Sequence, residues 1–568
     1  MAAYPDGMAS EHVDAVVVGS GFGGSVAAYR LAEAGRSVVV LERGRPYPPG
    51  SFPRSPVEMK QAFWDPHEGL QGLFDVWRFR GFSSVVSSGL GGGSLIYANV
   101  LLRKDERWFV RDDPLPGGGY ETWPITRADL EPHYDAVEAM LTPVPYPIDE
   151  PAYRATPKTA EMRGAAEKLG LHFELPPLAV SFAPRPDARP GLGLPMAQAE
   201  YGNLHDLPRQ TCRLCGECDI GCNEGAKNTL DHTYLSAAKH HGADIRTRCE
   251  VRMIRPRLGG GYEVGYVHHD PSYEGRRIDP GRLPQRRVTC DRLILGAGTY
   301  GTTLLLLRNR ASFPWLSDAL GTRFSGNGDL LAFLLPGRDS PSVTMRASRG
   351  PVITGAIRVP DTADGGDGRG YYVEDGGYPA FVDWLAEYGA GGLRLLTRAA
   401  DFAVRWLHAQ ATRSPDTGLS AAVSGLLADG TLSSGSLPLL AMGRDIPDGV
   451  MRLREGRLDV SWSTRTSMDY FQRVRTTMRA VADELGASFA DNPVWFSWFV
   501  NRIITVHPLG GAPMGDAEES GVVGPDGQAF GHPGLYVLDG AAMPGPVGPN
   551  PSLTIAAFAD RACTLMLD

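Results

Sequence analysis

Short apolar runs alternate with glycine-rich turns near the start of the chain. Val13–Val18 is a short apolar run that predicts a buried strand. Ser25–Ala34 predicts a helix that Gly35 ends as a C-cap, and Ser37–Leu41 predicts a second strand that ends at Glu42. Together these segments predict a βαβ unit of about 30 residues.

Further periodic segments are separated by proline-rich or glycine-rich stretches. They predict helices over Tyr234–His241 and Ser552–Thr564 and strands over Ile245–Ile254, Tyr262–His268, Arg292–Leu295, Val352–Val359 and Leu535–Leu538. Phe381, Trp384, Leu385 and Tyr388 recur at helical spacing, and Leu393–Leu407 predicts another helix. The Phe381–Tyr388 stripe favours a core helix over a lid touching a membrane or an apolar substrate, because apolar stripes mostly face cores.

Composition places the chain among soluble globular proteins. Of its 568 residues, 42% are hydrophobic and 21% are charged, which excludes disorder as the main state. The net charge of −9 and the lack of a dense basic run argue against nucleic acid as a partner. We find no apolar run of about 18 residues, so we expect no transmembrane segment. The polar, acidic N-terminus does not resemble a secretory signal, so we expect a cytoplasmic protein.

The turn after the first predicted strand carries the strongest local motif. Gly19, Gly21 and Gly24 form Gly-x-Gly-x-x-Gly between a strand and a helix. The first glycine permits a tight turn, the second lets the backbone approach phosphate, and the third permits close helix–strand packing. Glu42, at the end of the second strand, is placed to accept hydrogen bonds from a ribose. We therefore predict a dinucleotide-binding site.

Two other regions determine which dinucleotide is expected. Gly89–Asn99 is a second glycine cluster. The region near the C-terminus contains Val506–Gly511, in which His507 is followed by Pro-Leu-Gly-Gly, and then the short motifs Asp539-Gly540 and Asn550-Pro551-Ser552. Together with the N-terminal unit, these motifs resemble the glucose–methanol–choline (GMC) family of flavin oxidoreductases. Within that family the chain is most similar to the bacterial cholesterol oxidase type.

The resemblance implies an α/β fold with FAD as the cofactor. A Rossmann-like FAD-binding domain would be assembled from residues 1–141, 205–328 and 492–568, and a substrate domain built on a mixed β-sheet with helices from 142–204 and 329–491. The expected cofactor-binding residues are Gly19, Gly21, Gly24, Glu42, Gly91, Gly93, Ser94, Asn99, Gly298, Asp539, Gly540 and Ser552.

The family chemistry also assigns catalytic roles. An alcohol would lose its hydroxyl proton to His507 while a hydride passes to flavin N5, and Asn550 would hold the substrate oxygen. Ser552 would cap the last helix, whose dipole would face the flavin. Glu374 matches, by location only, the carboxylate that moves a proton during double-bond isomerisation in cholesterol oxidases. A solvated loop acid is the simpler interpretation of Glu374.

A run of cysteines in the middle of the chain leaves three interpretations open. Cys212, Cys215, Cys218 and Cys222 have the spacing of an iron–sulfur ligand run. Asn223 replaces the proline of the bacterial ferredoxin pattern, and we find no second run. A single zinc ion held by the four thiolates is a further alternative. We favour plain structural thiols, and we expect no other metal site.

The expected function is oxidation of a sterol or another bulky hydrophobic alcohol, with O₂ or another acceptor taking the electrons. The sequence does not decide between oxidase and dehydrogenase. Transient contact with a membrane would suit such a substrate. One alternative is a lyase or isomerase in which FAD does no net redox chemistry. A second is a dehydrogenase subunit that passes electrons through a cluster at Cys212–Cys222.

Overall fold

The computed structural model of this chain describes residues 11–116, 118–336, 345–378, 436–491 and 503–568. The helices predicted at Phe381–Tyr388 and Leu393–Leu407 lie outside the described residues. Within the described part, no helix combines the length and apolar character needed to cross a bilayer.

The first sheet confirms the predicted βαβ unit. Its central strand, His12–Val18, pairs in parallel with Val38–Leu41 on one side and with Gln285–Leu295 on the other. Helix Phe22–Glu33 connects the first two strands. The sheet has seven strands, and its remaining members are Asp244–Arg246, Cys249–Pro256, Tyr262–His268 and Leu535–Val537. Because it combines parallel and antiparallel pairs, this is a mixed sheet.

One predicted strand is wrong in this sheet. The sequence predicts one continuous strand over Ile245–Ile254, but the chain forms two strands, Asp244–Arg246 and Cys249–Pro256. The break falls at Arg248, whose φ of 59° lies in the left-handed region that a strand cannot contain. The Arg248 amide donates to the carbonyl of Gly44, which fixes this turn beside the end of the second strand.

The second sheet has six strands, and all its described pairs are antiparallel. In spatial order they are Ala487–Asp491, Leu330–Pro336, Leu437–Gly443, Tyr371–Asp375, Ala356–Val359 and His172–Glu174. The mixed pairing expected for this sheet therefore occurs in the first sheet instead. The strand predicted at Val352–Val359 begins only at Ala356, because the Thr354 and Gly355 amides donate to the side chain of Asp375.

Smaller sheets and helices complete the fold. Ile503–Thr505 pairs in parallel with Phe82–Ser87, which pairs with Phe74–Arg78. The two-stranded sheets are Val450–Arg454 with Arg457–Ser461, Trp64–Asp65 with Leu70–Gln71, and Asp113–Pro114 with Tyr120–Glu121. The other α-helices are Pro56–Gln61, Arg127–Leu141, Pro157–Leu169, Tyr234–His240, Gly298–Asn309, Met468–Glu484 and Ser552–Leu567. The expected α/β class is confirmed, and the domain boundaries stay a prediction.

Parallel pairing brings three strand ends to one edge of the first sheet. Val18 lies opposite both Leu41 and Leu295. The residues that follow these strands, including Gly19 and Glu42, therefore meet at the same edge. Ligands of open α/β sheets bind at the carboxyl ends of the strands.

Candidate active site

A cavity of about 760 Å³ opens at this edge of the first sheet. Its wall includes most of the residues predicted to bind cofactor or substrate: Gly19, Gly21, Glu42, Gly93, Asn99, Gly298, His507, Asp539, Gly540, Asn550 and Ser552. Three predicted cofactor residues, Gly24, Gly91 and Ser94, do not line the cavity. The fold therefore brings motifs from both ends of the chain to one chamber.

The Gly19–Gly24 turn has the shape that a pyrophosphate requires. A Cβ added to Gly21 would meet only one described atom within 4 Å, the carbonyl oxygen of Gly296 at 3.9 Å, so the backbone stays open to the cavity. A Cβ added to Gly24 would lie 2.1 Å from the carbonyl oxygen of Gly19, which explains why this helix can pack so closely. Gly19 has φ +91°, a conformation that favours glycine.

Glu42 is buried at the end of its strand and reaches the cavity. One carboxylate oxygen accepts from the Ser20 amide at 3.0 Å and from the Ser20 hydroxyl at 2.7 Å. The other oxygen accepts from the Gly44 amide at 2.8 Å. The carboxylate thus has a fixed orientation, as expected of a group that receives ribose hydroxyls.

Gly91 and Ser94 shape the second glycine loop. The Ser94 hydroxyl donates to the carbonyl of Gly91 at 2.7 Å, and the Gly91 amide donates to the Ser20 hydroxyl at 3.0 Å. The two glycine loops are therefore hydrogen-bonded to each other. Asn99 lies at the cavity wall with φ +72°, and neither polar atom of its buried side chain has a partner among the described residues. A ligand with polar edges would satisfy that amide.

Asp539 holds the C-terminal segment on the turn after the strand Gln285–Leu295. One of its carboxylate oxygens accepts from the Gly298 amide at 2.8 Å and from the Thr302 hydroxyl at 2.5 Å, and the other accepts from the Ala541 amide at 2.9 Å. Burial raises the pKa of Asp539 to about 6. Thr299 adds a second link, because its hydroxyl donates to the carbonyl of Pro508 at 2.6 Å.

The last helix starts at the cavity, but the predicted cap is wrong. Ser552 is the first helical residue, and Pro551 occupies the N-cap position without a side-chain cap bond. Pro551 has helical φ and ψ, so the chain enters the helix one residue earlier than a Ser552 cap would require. Both residues line the cavity. The unpaired amides and positive dipole end of this helix therefore face the chamber.

These features fit FAD. The backbone is open at Gly21, a fixed carboxylate stands at Glu42, an amide without partners stands at Asn99, and a helix begins at Ser552. They supply sites for pyrophosphate, ribose and the polar edge of a ring system.

His507 stands at the cavity in a fixed orientation. Its Nδ1 lies 2.8 Å from one carboxylate oxygen of Asp329, which is fully buried. The other oxygen of Asp329 accepts from the Thr505 hydroxyl at 2.9 Å, the Val506 amide at 2.8 Å and the His507 amide at 3.1 Å. With Nδ1–H donated to Asp329, the lone pair of Nε2 is free to accept a proton.

Asn550 lies beside a buried acid. Its amide nitrogen donates to Glu374 at 3.4 Å, while its carbonyl oxygen and the second oxygen of Glu374 have no partner among the described residues. Burial raises the pKa of Glu374 to about 8, and the neighbouring charges of Asp375 and Asp329 add to that rise. Glu374 is therefore mostly protonated at neutral pH and is not a solvated loop acid.

Two site residues escaped the sequence reasoning. Asp329 orients His507, yet it stands at the start of a stretch without a recognisable motif. Asn327 accepts the Gly548 amide at 3.0 Å and so positions the loop that leads to Asn550. The sequence does contain one local signal for this region. Gly326-Asn327-Gly328 stands directly before an apolar strand, and such a sequence is typical of a turn.

The four cysteines of the central run surround a small cavity of about 20 Å³. The Leu214 amide donates to the sulfur of Cys212 at 3.4 Å, and the Ala226 amide donates to that of Cys222 at 3.3 Å. In the described residues, no three of these sulfurs approach one another within 4.8 Å. Tetrahedral zinc thiolates stand about 3.8 Å apart, as bond lengths of 2.3 Å require. The arrangement is therefore not that of a four-thiolate zinc site.

Comparison with known proteins identifies the family. Residues 463–559 match the family model described as GMC oxidoreductase, and residues 17–48 match the NAD(P)-binding Rossmann-like domain. A cholesterol oxidase of Mycobacterium tuberculosis is 30% identical over 97% of this chain and 90% of its own length. A cholesterol oxidase of Acinetobacter baumannii is 27% identical over 97% and 93%.

A solved structure supports the fold. Pyridoxine 4-oxidase from Mesorbium loti superposes with a TM-score of 0.56 at 17% identity, covering 97% of this chain and 98% of that one. The cavity, the glycine turns and the C-terminal motifs thus agree with the near full-length similarity. This chain belongs to the GMC family of flavin oxidoreductases and is an FAD-dependent alcohol oxidoreductase.

Proposed function

We propose that this chain oxidises a bulky hydrophobic alcohol, with a sterol as the first candidate, and that O₂ takes up the electrons. The observation that carries the proposal is the placement of His507, Asn550 and the flavin turn on one large cavity. Apolar side chains such as Trp77, Ile353 and Leu440 contribute to its wall. Cholesterol oxidases of two bacteria are similar to this chain over nearly its full length, which supports a sterol.

His507 would be the base of the oxidation. Bound FAD supplies the hydride acceptor, while the protein must remove the hydroxyl proton of the alcohol. Asp329 holds Nδ1 of His507 at 2.8 Å, so the proton would arrive at Nε2. Asp329 then stabilises the imidazolium that forms, as a buried carboxylate does for a catalytic histidine.

Asn550 would position the substrate oxygen. Its side-chain carbonyl has no described partner and lies in a buried part of the cavity wall. A substrate hydroxyl can donate to that oxygen before it gives its proton to His507. The Asn327 contacts with the backbone of Gly548 and Pro549 keep Asn550 in place.

Glu374 would carry a proton within the substrate after oxidation. When the ketone product has a β,γ double bond, the carboxylate form of Glu374 can take a proton from the intervening carbon and return it to the far end of the alkene. No electrons leave the substrate in this step. Because burial raises the pKa of Glu374 to about 8, the carboxylate form becomes more abundant as the pH rises through that value.

The remaining assignments follow the same reasoning. We propose that Cys212, Cys215, Cys218 and Cys222 form a structural loop of thiols, since burial raises the pKa of Cys212, Cys215 and Cys218.

We also propose that the chain is divided into two domains. The FAD-binding domain would comprise residues 1–141, 205–328 and 492–568, and the substrate domain residues 142–204 and 329–491.

Anaerobic mixing of the yellow protein with a panel of alcohols tests the proposal. A sterol should bleach the flavin, and His507→Ala should slow bleaching about 10²–10⁴-fold with normal FAD content. His240→Ala, at an exposed histidine, is the control. If only short alcohols bleach the flavin, the proposal of a bulky substrate is wrong. If His507→Ala bleaches at the wild-type rate, His507 is not the base. Product analysis in Glu374→Gln should show the unisomerised ketone.

A further inference from the structure

A second group of metal-ligating side chains lies away from the cysteine run. One ring nitrogen each of His205 and His232 and a carboxylate oxygen of Asp231 lie within 4.8 Å of one another. In the described part of the chain, no other set of three or more His, Cys, Asp or Glu side chains meets this distance. The set does not line the large cavity.

These three side chains are almost completely buried. The side chains of His205 and Asp231 are 4% and 1% exposed, and His232 is 6% exposed. Nε2 of His205 lies 2.6 Å from one carboxylate oxygen of Asp231. The other oxygen of Asp231 and Nδ1 of His232 are buried without a hydrogen-bond partner among the described residues. Buried polar atoms without partners are uncommon and call for a ligand, a water or an ion.

The two imidazoles meet edge to face. Their ring centroids are 5.3 Å apart with an angle of 76° between the planes. His205 is fixed from behind, because the side chain of Asn203 accepts from its amide at 3.0 Å and the Leu204 amide donates to the Ser236 hydroxyl at 2.9 Å. Asp231 and His232 come from the turn that precedes helix Tyr234–His240. Two separate segments therefore converge on one small volume.

No lysine or arginine forms an ion pair with Asp231 within the described residues, although the charges of Arg209 and Lys227 act on it from nearby. Asp231 pairs with His205, and the Thr229 side chain lies beside it. Arg209, which is close by, directs its guanidinium to the carbonyls of Gly225 and Lys227 and to the side-chain oxygen of Asn228. A buried carboxylate between two imidazoles remains available to a cation.

We propose that His205, Asp231 and His232 bind one divalent transition-metal ion, with zinc as the best-suited metal. Two imidazoles and one carboxylate are ordinary zinc ligands, with bonds of about 2.0–2.2 Å. Ligand atoms around a tetrahedral zinc stand about 3.3 Å apart, so the 2.6 Å contact between His205 and Asp231 would open slightly as the ion replaces the shared proton. The fourth position would be held by water.

The position of this site gives the ion a structural role. The amide of Leu230, the residue before Asp231, donates to the Ser94 hydroxyl at 3.0 Å. Ser94 in turn bonds to Gly91, and Gly91 bonds to Ser20 in the first glycine turn. A metal ion that fixes Asp231 would therefore stabilise the loop that shapes the flavin site through this chain of hydrogen bonds.

Metal analysis of the holoenzyme tests the site. The purified protein is dialysed against a chelator, exposed to ZnCl₂, freed of loose metal, and assayed for zinc by mass spectrometry. We expect stoichiometric zinc in the wild type, its loss in Asp231→Asn and His232→Gln, and its retention in His240→Gln, at an exposed histidine. Zinc should also raise the melting temperature of the wild type and leave that of the two ligand variants unchanged.

The cysteine run requires its own control, because thiolates also bind zinc. Cys215→Ser should keep its zinc if the ion lies at the histidines. X-ray absorption at the zinc edge should show nitrogen and oxygen ligands at about 2.0–2.1 Å and no sulfur at about 2.3 Å, which requires no variant to fold. Absence of zinc from the wild type, zinc that survives His232→Gln, or sulfur ligands would each overturn the assignment.

Discussion

Glu374 offers a quantitative test of the electrostatics of the site. The variant Glu374→Gln replaces a buried acid by a neutral side chain of nearly the same shape, and the Asn550 amide can still donate to it. In the folded protein, burial raises the pKa of Glu374 from 4.5 to about 8. The unfolded chain keeps the ordinary value, so between these two pH values the folded protein holds a proton that the unfolded chain releases.

The sign of the effect follows from this difference. The folded state binds more protons than the unfolded state between pH 4.5 and about 8, so stability falls as the pH rises through that window. At 1.36 kcal/mol per pKa unit, the loss in the wild type approaches about 5 kcal/mol above pH ~8. Glutamine does not titrate, so Glu374→Gln does not undergo this pH-dependent loss of folding stability. The two proteins should be similar near pH 5 and should diverge as the pH rises, with the variant the more stable.

Thermal unfolding of the FAD-bound proteins between about pH 5 and 9 measures the divergence. The per-residue unfolding entropy of about 2.1 cal/mol/K gives a chain of 568 residues a shift of about 1 °C for each kcal/mol. The melting temperature of the variant should therefore exceed that of the wild type by about 4 °C at the alkaline end. Glu167→Gln, at an exposed position, serves as the control and should follow the wild type. A gap that stays constant with pH would refute the reasoning.

Three further substitutions and one control variant test the catalytic histidine, the flavin turn and the cysteine run. Asp329→Asn should slow flavin reduction about 10²–10⁴-fold in stopped-flow, because the amide no longer fixes the His507 tautomer; an unchanged rate would exclude Asp329 from that role. Gly23→Ala should abolish FAD-bound protein, since its Cβ would lie 1.6 Å from the Leu538 carbonyl oxygen. The control is Gly164→Ala, which lies in the helix Pro157–Leu169 outside the cavity wall, meets no described atom within 4 Å beyond its own helix backbone, and should bind FAD, as the flavin-to-protein absorbance ratio will show. Cys215→Ser should lower the melting temperature and leave flavin reoxidation unchanged; slowed reoxidation together with iron in the wild type would instead indicate a cluster.

The parts of the fold that depend on neighbouring residues could be predicted from the sequence. The first strand, its glycine turn and the following helix lie within Val13–Ala34, and each carries its own signal in periodicity or glycine placement. The strand predicted over Ile245–Ile254 failed because Arg248 adopts φ 59°, a conformation that arginine does not signal in a sequence. It is the hydrogen bond from Arg248 to the distant Gly44 that sets this turn.

The contacts that tune the site depend on distance along the chain. Asp329 reaches His507 across 178 positions, and Glu374 reaches Asn550 across 176. Periodicity within a window of a dozen residues cannot report such pairs. The motifs around His507 and Asn550 were recognisable because the chain resembles a known family, whereas both acids lie in a stretch that carries no motif. Asp329 was recognised only from its contact with His507, and Glu374, a candidate by location alone, gained Asn550 as its partner only in the structure.

The two buried acids of the site have different hydrogen-bond surroundings. Asp329 receives four hydrogen bonds, from the ring and amide of His507, the Val506 amide and the Thr505 hydroxyl, so both of its oxygens have partners. Glu374 receives one long hydrogen bond from Asn550, so burial dominates and its proton is retained at neutral pH.

We infer that these surroundings give the two acids different roles. Asp329 holds Nδ1 of His507, so Nε2 is the ring atom left open to a hydroxyl proton. Glu374 lies behind Asn550, and in its protonated form it adds no negative charge beside a developing alkoxide. The hydroxyl proton of an alcohol would therefore pass to His507, and Glu374 would act on the product only in its carboxylate form, so the two groups would not compete for the same proton.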